Sequence, residues 1–307
     1  MKIRVIVNPK AGAGSAGRQV PNLSRALSAA GVQHDVVTTR AAGDATALAH
    51  RAREDGIDVV AVMGGDGTLN EVCQAYLDGS GNPLAGPALG LIPSGTGGDF
   101  RRTFGLGTDL LGAVRRLVET EPRPLDLGIV EVTTERGETS RKAFVNITSF
   151  GVSGAIDRIV NRSPKWMGGR AAFALATVRA MSTYRNAPVT IRLDGRPWHE
   201  GRIVSTAIAN GQYFGGGMHI APEALPSDGL LDVVAIGDLT FFESMRNTPD
   251  LYRGSHLGLE KIRTARASVV EAAAIDRQPV FVDLDGETPG QLPLKAWIAP
   301  GALRVRA

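Results

Sequence analysis

The sequence predicts an α/β domain with a doubly wound parallel sheet, followed by an antiparallel β-sandwich domain. Through residues 1–124, apolar β-branched segments alternate with segments of helical spacing, the pattern of parallel strands connected by helices. Beyond segment 121–124, strand-like segments follow one another with Gly, Pro, Asn or Asp between them, as in antiparallel sheets. Glycine clusters follow three of the first strands, which indicates a ligand site at the carboxyl ends of the parallel sheet.

Composition predicts a globular protein located in the cytoplasm. The 307 residues are 43% hydrophobic and 21% charged, which allows two folded cores and argues against disorder. No apolar run approaches the ~20 residues of a membrane span, and the first residues are too strand-like for a signal peptide. The single cysteine, Cys73, excludes an internal disulfide and a cysteine zinc module.

The charge is mildly positive, with a net value of +3 and a pI of about 9.2. This bias suits anionic ligands or lipid head groups and is too weak to indicate nucleic acid. Aromatic residues are not interleaved with basic ones as in a stacking surface, so we expect no nucleic-acid partner.

The same patterns give the domain boundaries and elements. We expect residues 1–124 to form the α/β domain, with segment 300–307 packing back on it, and residues 125–299 to form the β-sandwich domain. The first domain is predicted to have strands at 3–7, 35–39, 58–63 and 88–93 and helices at 20–30, 45–53, 69–77 and 109–118. The second is predicted to have strands at 127–132, 143–148, 189–193, 202–209, 231–236, 267–270, 280–284 and 294–298 and helices at 169–183 and 239–253.

The first glycine loop, GAGSAG at residues 12–17, follows a strand and precedes a helix. Its G-x-G-x-x-G spacing occurs in dinucleotide-binding folds, which also have an acid at the end of the second strand. Here that strand ends in Thr38-Thr39-Arg40, and its one acid, Asp35, lies at its start. The pattern favours a general phosphate-approach loop over a nicotinamide site, with a structural turn as the remaining alternative.

The second and third loops, GGDGTLNE at residues 64–71 and PSGTGGDF at residues 93–100, each follow a buried strand. In the second loop, Thr68 and Glu71 have the spacing of a helix capping box, so a plain strand-to-helix turn is one interpretation. The other is a phosphate site, because free N–H groups at a helix start favour an anion. Three such loops at successive strand ends favour the phosphate site. No P-loop or protein-kinase signature accompanies them.

Five motifs together resemble the catalytic domain of the diacylglycerol kinase family, above all its bacterial soluble lipid kinases, with sphingosine and ceramide kinases as relatives. They are VNPKAG at 7–12, the two loops at 64–71 and 93–100, ANGQYFGGGMHIAPEALPSDGLLDV at 209–233, and DLDGE at 283–287. The GGDGT element alone also occurs in NAD kinases and phosphofructokinases. The resemblance implies a nucleotide-binding α/β domain, a lipid-binding β-sandwich domain and an active cleft between them.

The resemblance also implies roles for individual residues. Asp66 would lie close to the phosphates and a magnesium ion, and Glu287 would accept the proton of the lipid hydroxyl, with Asp285 beside it. A second magnesium ion would be held by the carboxylate of Asp228 and the main-chain carbonyls of Leu225 and Leu230. The implied ATP contacts are Asn8, Pro9, Lys10, Ala11, Gly12, Thr39, Gly65, Asp66, Gly67, Thr68, Leu69, Asn70 and Thr96.

One position departs from the family pattern. The family usually has G-T-x-N-D-F in the third loop, whereas this chain has Gly98 in place of the asparagine. The missing amide could remove a hydrogen bond that shapes the loop or contacts the nucleotide. The departure bears on nucleotide affinity and preference.

The chemistry of phosphoryl transfer agrees with these assignments. It needs backbone donors around the phosphates, a divalent cation with carboxylate ligands, and a group that orients the attacking hydroxyl. Taken alone, DLDGE would be interpreted as a hairpin turn and PSDGLLD as a turn that enters a strand. We predict an ATP- and Mg²⁺-dependent lipid kinase. The alternatives are an NAD kinase-like enzyme and a catalytically silent nucleotide- or lipid-binding module.

The predicted partners are ATP and a lipid substrate at a membrane surface. We expect the protein to be cytoplasmic and peripheral at the inner membrane surface. The sequence does not identify the lipid, and it leaves the oligomeric state open, a homodimer included.

Overall fold

A computed structural model of the chain describes residues 1–94, 98–162, 177 and 181–307. The chain divides into two compact units. The first comprises Met1–Leu127, Pro226–Gly229 and Ala299–Ala307, and the second comprises Gly128–Leu225 and Leu230–Ile298.

The helices and strands are numbered in chain order. The helices are α1 (Ala11–Ala29), α2 (Asp44–Glu54), α3 (Asp66–Gln74), α4 (Asp99–Thr103), α5 (Leu110–Glu119), α6 (Val152–Arg162) and α7 (Phe241–Arg253). The strands are β1 (Lys2–Val7), β2 (Gln33–Thr38), β3 (Val59–Gly64), β4 (Ala88–Pro93), β5 (Arg123–Thr133), β6 (Thr139–Phe144), β7 (Ile147–Gly151), β8 (Ala187–Leu193), β9 (Arg196–Ile203), β10 (Ser205–Ala209), β11 (Leu231–Ile236), β12 (Ile262–Ala267), β13 (Val269–Ala274), β14 (Phe281–Leu284) and β15 (Glu287–Arg306).

The first unit has a parallel sheet in the order β2-β1-β3-β4, and the end of β15 pairs with the start of β4. Its central strands are apolar because helices cover both faces. Burial of such side chains is the main favourable term in folding, at roughly 25 cal/mol per Å² of apolar surface. A core cluster joins side chains from β1, β3 and β4 to α1 and α5, with Ile3, Leu27, Met63, Ile92 and Leu117 among its buried members.

The second unit is antiparallel. One run of strands has the order β12-β11-β10-β7-β14-β15, while β13 pairs with β15 and β8, and β9 pairs with β8. A core cluster of alternating inward side chains from these strands includes Phe144, Phe150, Val189, Val233 and Leu294. Alternation of this kind is what a sheet with one buried face requires.

Helix α7 starts with a capping box. Thr240 Oγ1 accepts from the Glu243 N–H at 3.3 Å, and Glu243 Oε2 accepts from the Thr240 N–H at 2.7 Å. The helix ends at Gly254, whose φ of 75° is a left-handed conformation that suits glycine. These two end signals flank the predicted helix 239–253.

Three predicted strands are each divided in the structure, and the predicted strand 267–270 spans the end of β12 at Ala267 and the start of β13 at Val269. The predicted strand 143–148 becomes β6 and β7, because Val145 and Asn146 bond to the segment that starts at Asn210: Asn210 N and Gly211 N donate to Asn146 O, each at 2.9 Å. The predicted strand 202–209 becomes β9 and β10. There the chain leaves β8 and joins β7 and β11, and the Val204 N–H donates to Ile236 O at 2.9 Å.

Other elements differ in their bounds: β15 is longer than the predicted strand 294–298, and α1 begins at Ala11, well before the predicted helix 20–30. The predicted helix 169–183 lies outside the described residues, apart from Thr177 and residues 181–183. Helices α4 and α6 were not predicted, and α3 begins three residues earlier than expected, at Asp66. Within the part of the chain that the structure describes, no helix has both the length and the apolar character that a membrane crossing requires.

Candidate active site

The first glycine loop contains three consecutive residues in left-handed conformation. Gly12, Ala13 and Gly14 have φ values of 58°, 53° and 83°. The turn before them is held by Asn8, whose Oδ1 accepts from the Lys10 N–H at 3.1 Å. The Gly14 N–H donates to Lys10 O at 3.2 Å, which closes the turn. Turns that bring successive backbone N–H groups together form concave anion sites. The start of the predicted phosphate-approach loop, residues 12–17, therefore has backbone geometry that suits an anion.

The second loop is in contact with the first through Thr68. Asn8 Nδ2 donates to Thr68 Oγ1 at 3.3 Å, and the Asn8 N–H donates to Met63 O at 3.0 Å. Gly64 permits this arrangement, because a Cβ at that position would lie 2.6 Å from Thr68 Oγ1. The glycine at the end of β3 thus allows α3 to begin immediately beside the first loop.

The capping box that Thr68 and Glu71 were interpreted as able to form is absent from this helix. Thr68 lies inside α3, whose N-terminal flanking residue is Gly65, and no side chain caps that end. The Glu71 carboxylate instead accepts from the N–H groups of Gly43 and Ala45, at 3.0 and 3.2 Å. Glu71 therefore stabilises the start of α2, where a carboxylate compensates the partial positive charge of the helix end.

Asp66 connects the second loop to the third. Its Oδ2 accepts from the N–H groups of Gly98 and Asp99 at 3.0 and 2.9 Å, and its Oδ1 accepts from the Phe100 N–H at 3.1 Å. A carboxylate has about four acceptor positions, so at least one remains on Oδ1 for a further donor or a cation. Ser15 Oγ and Ser94 Oγ, 3.4 Å apart, add a contact between the first and third loops.

The structure thus brings all three glycine loops to the carboxyl ends of β1, β3 and β4. Thr39 lies nearby in the same unit, where its N–H donates to Val7 O at 2.9 Å. Leu69 and Asn70 have buried side chains on the first turns of α3. Thr96 lies outside the described residues.

The DLDGE segment forms a tight hairpin between β14 and β15. Asp285 and Gly286 have φ values of 49° and 90°, as both central residues of a type I′ turn require, and Leu284 pairs with Glu287. Asp285 is fixed to β7: its Oδ1 accepts from the Ile147 N–H at 3.1 Å, and its own N–H donates to Ile147 O at 3.2 Å. Glu287 is exposed at the start of β15.

Asp283 is a residue of this turn to which sequence reasoning gave no role. It is 5% exposed; Oδ2 accepts from Ser149 Oγ and Oδ1 accepts from the Gly286 N–H, both at 2.8 Å. The sequence does show Asp283 as a second acid, two residues before the Asp285-Gly286 pair, and that acid could have been predicted to support the turn. Asp283 and Asp285 support the turn, which leaves Glu287 as the acid of the segment that is exposed at its surface.

The segment Pro226–Gly229 contains Asp228 and belongs to the first unit. Asp228 is exposed, and Gly229 has a φ of 75°. Asp126, which is 2% exposed, accepts from the N–H groups of Gly229 and Gly301, both at 2.7 Å. Sequence reasoning missed Asp126, which fixes this turn to β5 and to the segment that returns from the second unit.

The predicted metal ligands here are one carboxylate, from Asp228, and the carbonyls of Leu225 and Leu230. All three are hard oxygen donors of the kind that Mg²⁺ prefers. Among the described residues, no group of three or more His, Cys, Asp or Glu side chains is placed to hold a metal ion. The donor set fits a partly hydrated magnesium ion, which commonly takes few protein ligands and keeps several waters.

His219 lies in the motif at residues 209–233 and stacks on Tyr213 with ring centroids 4.2 Å apart. Its Nε2 is 3.2 Å from Gln212 Oε1. Burial lowers the pKa of His219 below its ordinary value, so the ring is predominantly neutral at pH 7. A neutral, stacked imidazole contributes packing and a hydrogen bond to this segment, and it brings no positive charge.

Comparisons with known proteins assign both halves of the chain. Residues 2–130 match the family model described as Diacylglycerol kinase catalytic domain. Residues 146–307, more than half of the chain, match the model described as YegS C-terminal NAD kinase beta sandwich-like domain.

Similar proteins cover nearly the whole chain. A Xanthomonas euvesicatoria protein named probable lipid kinase YegS-like is 30% identical over 90% of this chain and 87% of its own length. A Mycobacterium tuberculosis protein named diacylglycerol kinase is 30% identical over 99% of this chain and 94% of its own length. A crystal structure of a diacylglycerol kinase from Bacillus anthracis is similar in fold, with a TM-score of 0.72, 24% identity and coverage of 99% and 96%. The predicted fold class and the resemblance are confirmed.

Proposed function

We propose that this chain, which belongs to the diacylglycerol kinase catalytic-domain family, transfers the γ-phosphate of ATP to the hydroxyl of a diacylglycerol-like lipid with Mg²⁺. It is a lipid kinase, a phosphotransferase with an alcohol group as acceptor. The observation that carries the proposal is the hydrogen-bonded assembly of three glycine loops around Asp66.

The glycine loops support ATP as the phosphate donor. Their backbone N–H groups lie at the carboxyl ends of a parallel sheet, where doubly wound folds bind nucleotides. The left-handed residues Gly12 and Ala13 and the start of α3 would supply backbone donors without bulky side chains. In this proposal Asn8 to Gly12, Thr39, Thr96 and residues 65–70 surround the nucleotide, and Asp66 holds the third loop in place.

The DLDGE hairpin supports Glu287 as the group that orients the lipid hydroxyl. A carboxylate whose ordinary pKa is near ~4.3 is a weak base toward an alcohol, so positioning and late proton acceptance are its main contributions. Asp285 and Asp283 keep the turn rigid, which holds Glu287 on a fixed support. Rigid placement matters because phosphoryl transfer depends mostly on alignment and charge neutralisation.

Magnesium would neutralise charge on the transferring phosphate. Within the chain, the remaining acceptor position of Asp66 suits an ion beside the phosphates. Asp228, with the carbonyls of Leu225 and Leu230, suits a second ion that is structural. Asp126 would contribute to the second site indirectly, because it fixes the Gly229 N–H.

A membrane surface would present the acceptor lipid. The protein would then act as a peripheral enzyme at the inner membrane surface, and its mild positive charge would favour an anionic leaflet. Two alternatives remain as outcomes of a test: an NAD kinase-like enzyme, which shares the GGDGT element, and a silent module that binds nucleotide or lipid without transfer.

The test is transfer of labelled γ-phosphate from Mg-ATP by the purified full chain to a panel of acceptors. Micellar diacylglycerol, phosphatidylglycerol, sphingosine and ceramide would be compared, with NAD as a soluble acceptor. We expect a labelled lipid, most strongly from diacylglycerol, and its loss on removal of Mg²⁺ with a chelator.

Asp66→Ala serves as the inactive comparison and Asp109→Ala as its control. Both substitutions remove a carboxylate that accepts from a helix N-terminus, and Asp109 caps α5 by accepting from the Gly112 N–H at 2.9 Å. Transfer that is lost in the first variant and kept in the second would support the proposal. Labelled NADP would favour the NAD kinase-like alternative, and ATP binding without any labelled product would favour the silent module.

A further inference from the structure

The first unit has a cavity at the opposite edge of its parallel sheet from the glycine loops. Its volume is about 610 Å³, and its lining includes the starts of β3 and β4 at Val59 and Ala88. A strand of six residues such as β4 spans roughly 17–20 Å, so the cavity is well separated from the candidate nucleotide loops at the other end of the strands.

Three arginines line this cavity: Arg53 from α2, and Arg304 and Arg306 from β15. The carboxylates in the lining are Asp58 and Glu121, and Asp58 accepts from the Lys2 N–H at 2.7 Å. Both carboxylates are exposed. Guanidinium groups outnumber the carboxylates in the lining, and the positive groups come from two segments that are distant in sequence.

Two of the arginines are fixed by the backbone. Arg53 Nη2 donates to Ala75 O, and Arg306 Nη1 donates to Leu117 O at 3.3 Å and to Thr120 O. These bonds hold both guanidinium groups in place before any ligand arrives. A fixed guanidinium loses little freedom when it binds an anion.

The same two groups retain unused donors. The Nε atoms of Arg53 and Arg306 are buried and have no hydrogen-bond partner among the described residues. A buried, unpartnered N–H of a charged group is unfavourable, and an ion or ordered water usually accounts for it. These Nε atoms are closed to solvent, so a ligand in the cavity would meet the remaining Nη atoms instead. Nη1 of Arg53 and Nη2 of Arg306 make no hydrogen bond within the described residues.

Arg304 differs from the other two because its side chain is exposed and makes no hydrogen bond or ion pair within the described part of the chain. Burial raises the pKa of Tyr76, and the positive charges of Arg53 and Arg304 act against that rise. The Tyr76 hydroxyl donates to Pro87 O at 2.8 Å, and Pro87 lines the cavity. Arg304 is therefore a third cation in the cavity lining, and its guanidinium group can bind a ligand.

We propose that this cavity binds a phosphate-bearing anion through Arg53, Arg304 and Arg306. The planar guanidinium group presents paired donors that match phosphate oxygens, and the volume exceeds what inorganic phosphate alone would fill. The chemistry is shared by a free phosphate compound and a phospholipid head group. This site is separate from the proposed nucleotide site and does not depend on kinase activity.

The test uses the full chain and the Nε–Hε NMR signals of its arginines, each assigned by substitution. Inorganic phosphate is titrated at constant ionic strength, with chloride as the matched salt. We expect saturable shifts of the Arg53, Arg304 and Arg306 signals. Arg304→Ala should weaken the affinity at the other two arginines by about tenfold or more, the usual effect of losing a charge-assisted hydrogen bond.

Arg115→Ala is the matched control, because Arg115 is an exposed arginine of the same unit outside the cavity lining. It should leave the affinity unchanged. Equal weakening in both variants, or shifts that chloride reproduces, would show general screening and would overturn the proposal. Phosphate shifts confined to arginines outside the cavity lining, such as Arg101 and Arg102 of α4, would overturn it as well.

Sedimentation with vesicles distinguishes the two sources of phosphate. Phosphatidylcholine vesicles with and without phosphatidate are compared for the wild type, Arg304→Ala and Arg115→Ala. Selective loss of phosphatidate binding in Arg304→Ala would identify a head group. NMR binding of phosphate without vesicle binding would identify a soluble anion, and the absence of both would contradict the proposal.

Discussion

The Asp66 carboxylate accepts from the backbone N–H of Asp99 at 2.9 Å, across 33 residues of sequence. The same carboxylate accepts from the N–H groups of Gly98 and Phe100, so it caps the start of α4 from another loop. Asp66 therefore fixes residues 98–100, the end of the third glycine loop, whatever further contact it makes with a phosphate or a cation.

Substitution of Asp66 should affect both stability and transfer. We expect Asp66→Ala to lower the free energy of unfolding by about 1–3 kcal/mol, because three N–H groups lose their acceptor in a half-buried place. Asp66→Asn should lose less, since its carbonyl oxygen still accepts. Urea denaturation measures the difference, and equal stability of wild type and Asp66→Ala would show that these bonds contribute nothing.

The Gly98 departure from the family pattern has a conformational explanation. Gly98 has a φ of 99°, a positive value that glycine adopts without strain. Among residues with a side chain, asparagine tolerates positive φ best. An added Cβ would lie 2.9 Å from the Arg101 side chain, which is flexible enough to move. We expect Gly98→Asn to keep the fold and the transfer rate within a few-fold. Gly98→Val should lose about 1–2 kcal/mol of stability by thermal unfolding. Equal thermal stability of Gly98→Asn and Gly98→Val would contradict the explanation from the positive φ of Gly98.

Asp285 should prove structural. Asp285→Ala leaves the Ile147 N–H without its acceptor and puts alanine at a φ of 49°, so we expect a loss of about 1–3 kcal/mol. Asp285→Asn retains an acceptor oxygen and tolerates this φ, and its stability should stay close to that of the wild type. Chemical denaturation of the pair checks this. A large loss in Asp285→Asn alone would indicate a role for the negative charge.

The start of α7 should depend on pH through Glu243. Hydrogen bonds from Lys261 and from Thr240 lower the pKa of Glu243 to about 2, against an ordinary value of 4.5. A lowered folded-state pKa gives stability that is present above pH 4.5 and is lost as the pH falls toward 2. The stability difference between wild type and Glu243→Gln should therefore shrink over that range. A constant difference from pH 7 to pH 2 would contradict the lowered pKa.

Asp126 provides a further test of the turn that carries Asp228. Asp126 is buried and accepts two N–H groups, from Gly229 and Gly301, so Asp126→Ala should lower stability by about 2–5 kcal/mol. At moderate urea concentration we expect faster hydrogen exchange at Gly229 and Gly301 first. Exchange that rises evenly over the first unit would instead show that Asp126 has only a general effect.

Local patterns predicted the fold where they were uninterrupted. Strands β4 and β11 have the predicted bounds, because each is a buried apolar run between turn residues. The divisions at Val145 and Val204 were not visible in the sequence, since both are apolar residues in apolar runs. The strand ends at Val204 because the chain changes its pairing there: β9 pairs with β8, whereas β10 pairs with β7 and β11.

The candidate site shows the same limit. Glycine clusters after strands predicted that the three loops would meet, and the hydrogen bonds of Asn8 and Asp66 bring them together. The partner of Glu71 could not be predicted from the sequence. An acid at this position can complete a capping box on its own helix or accept from the start of another helix, and here it accepts from the Gly43 N–H at the start of α2. Asp126 was missed for a related reason: its two partners are more than 100 residues away in sequence.

The most direct measurement is the initial rate of γ-phosphate transfer from Mg-ATP to diacylglycerol micelles by wild type, Glu287→Gln and Glu200→Gln. Glu287 and Glu200 are both exposed acids of the second unit, and Glu200 lies on β9 outside the DLDGE turn. We predict that Glu287→Gln lowers kcat by about 10²–10⁴-fold with an unchanged Tm, while Glu200→Gln transfers phosphate at the wild-type rate. No transfer by the wild type, or equal rates in all three proteins, would contradict the assignment of Glu287 and the proposed reaction.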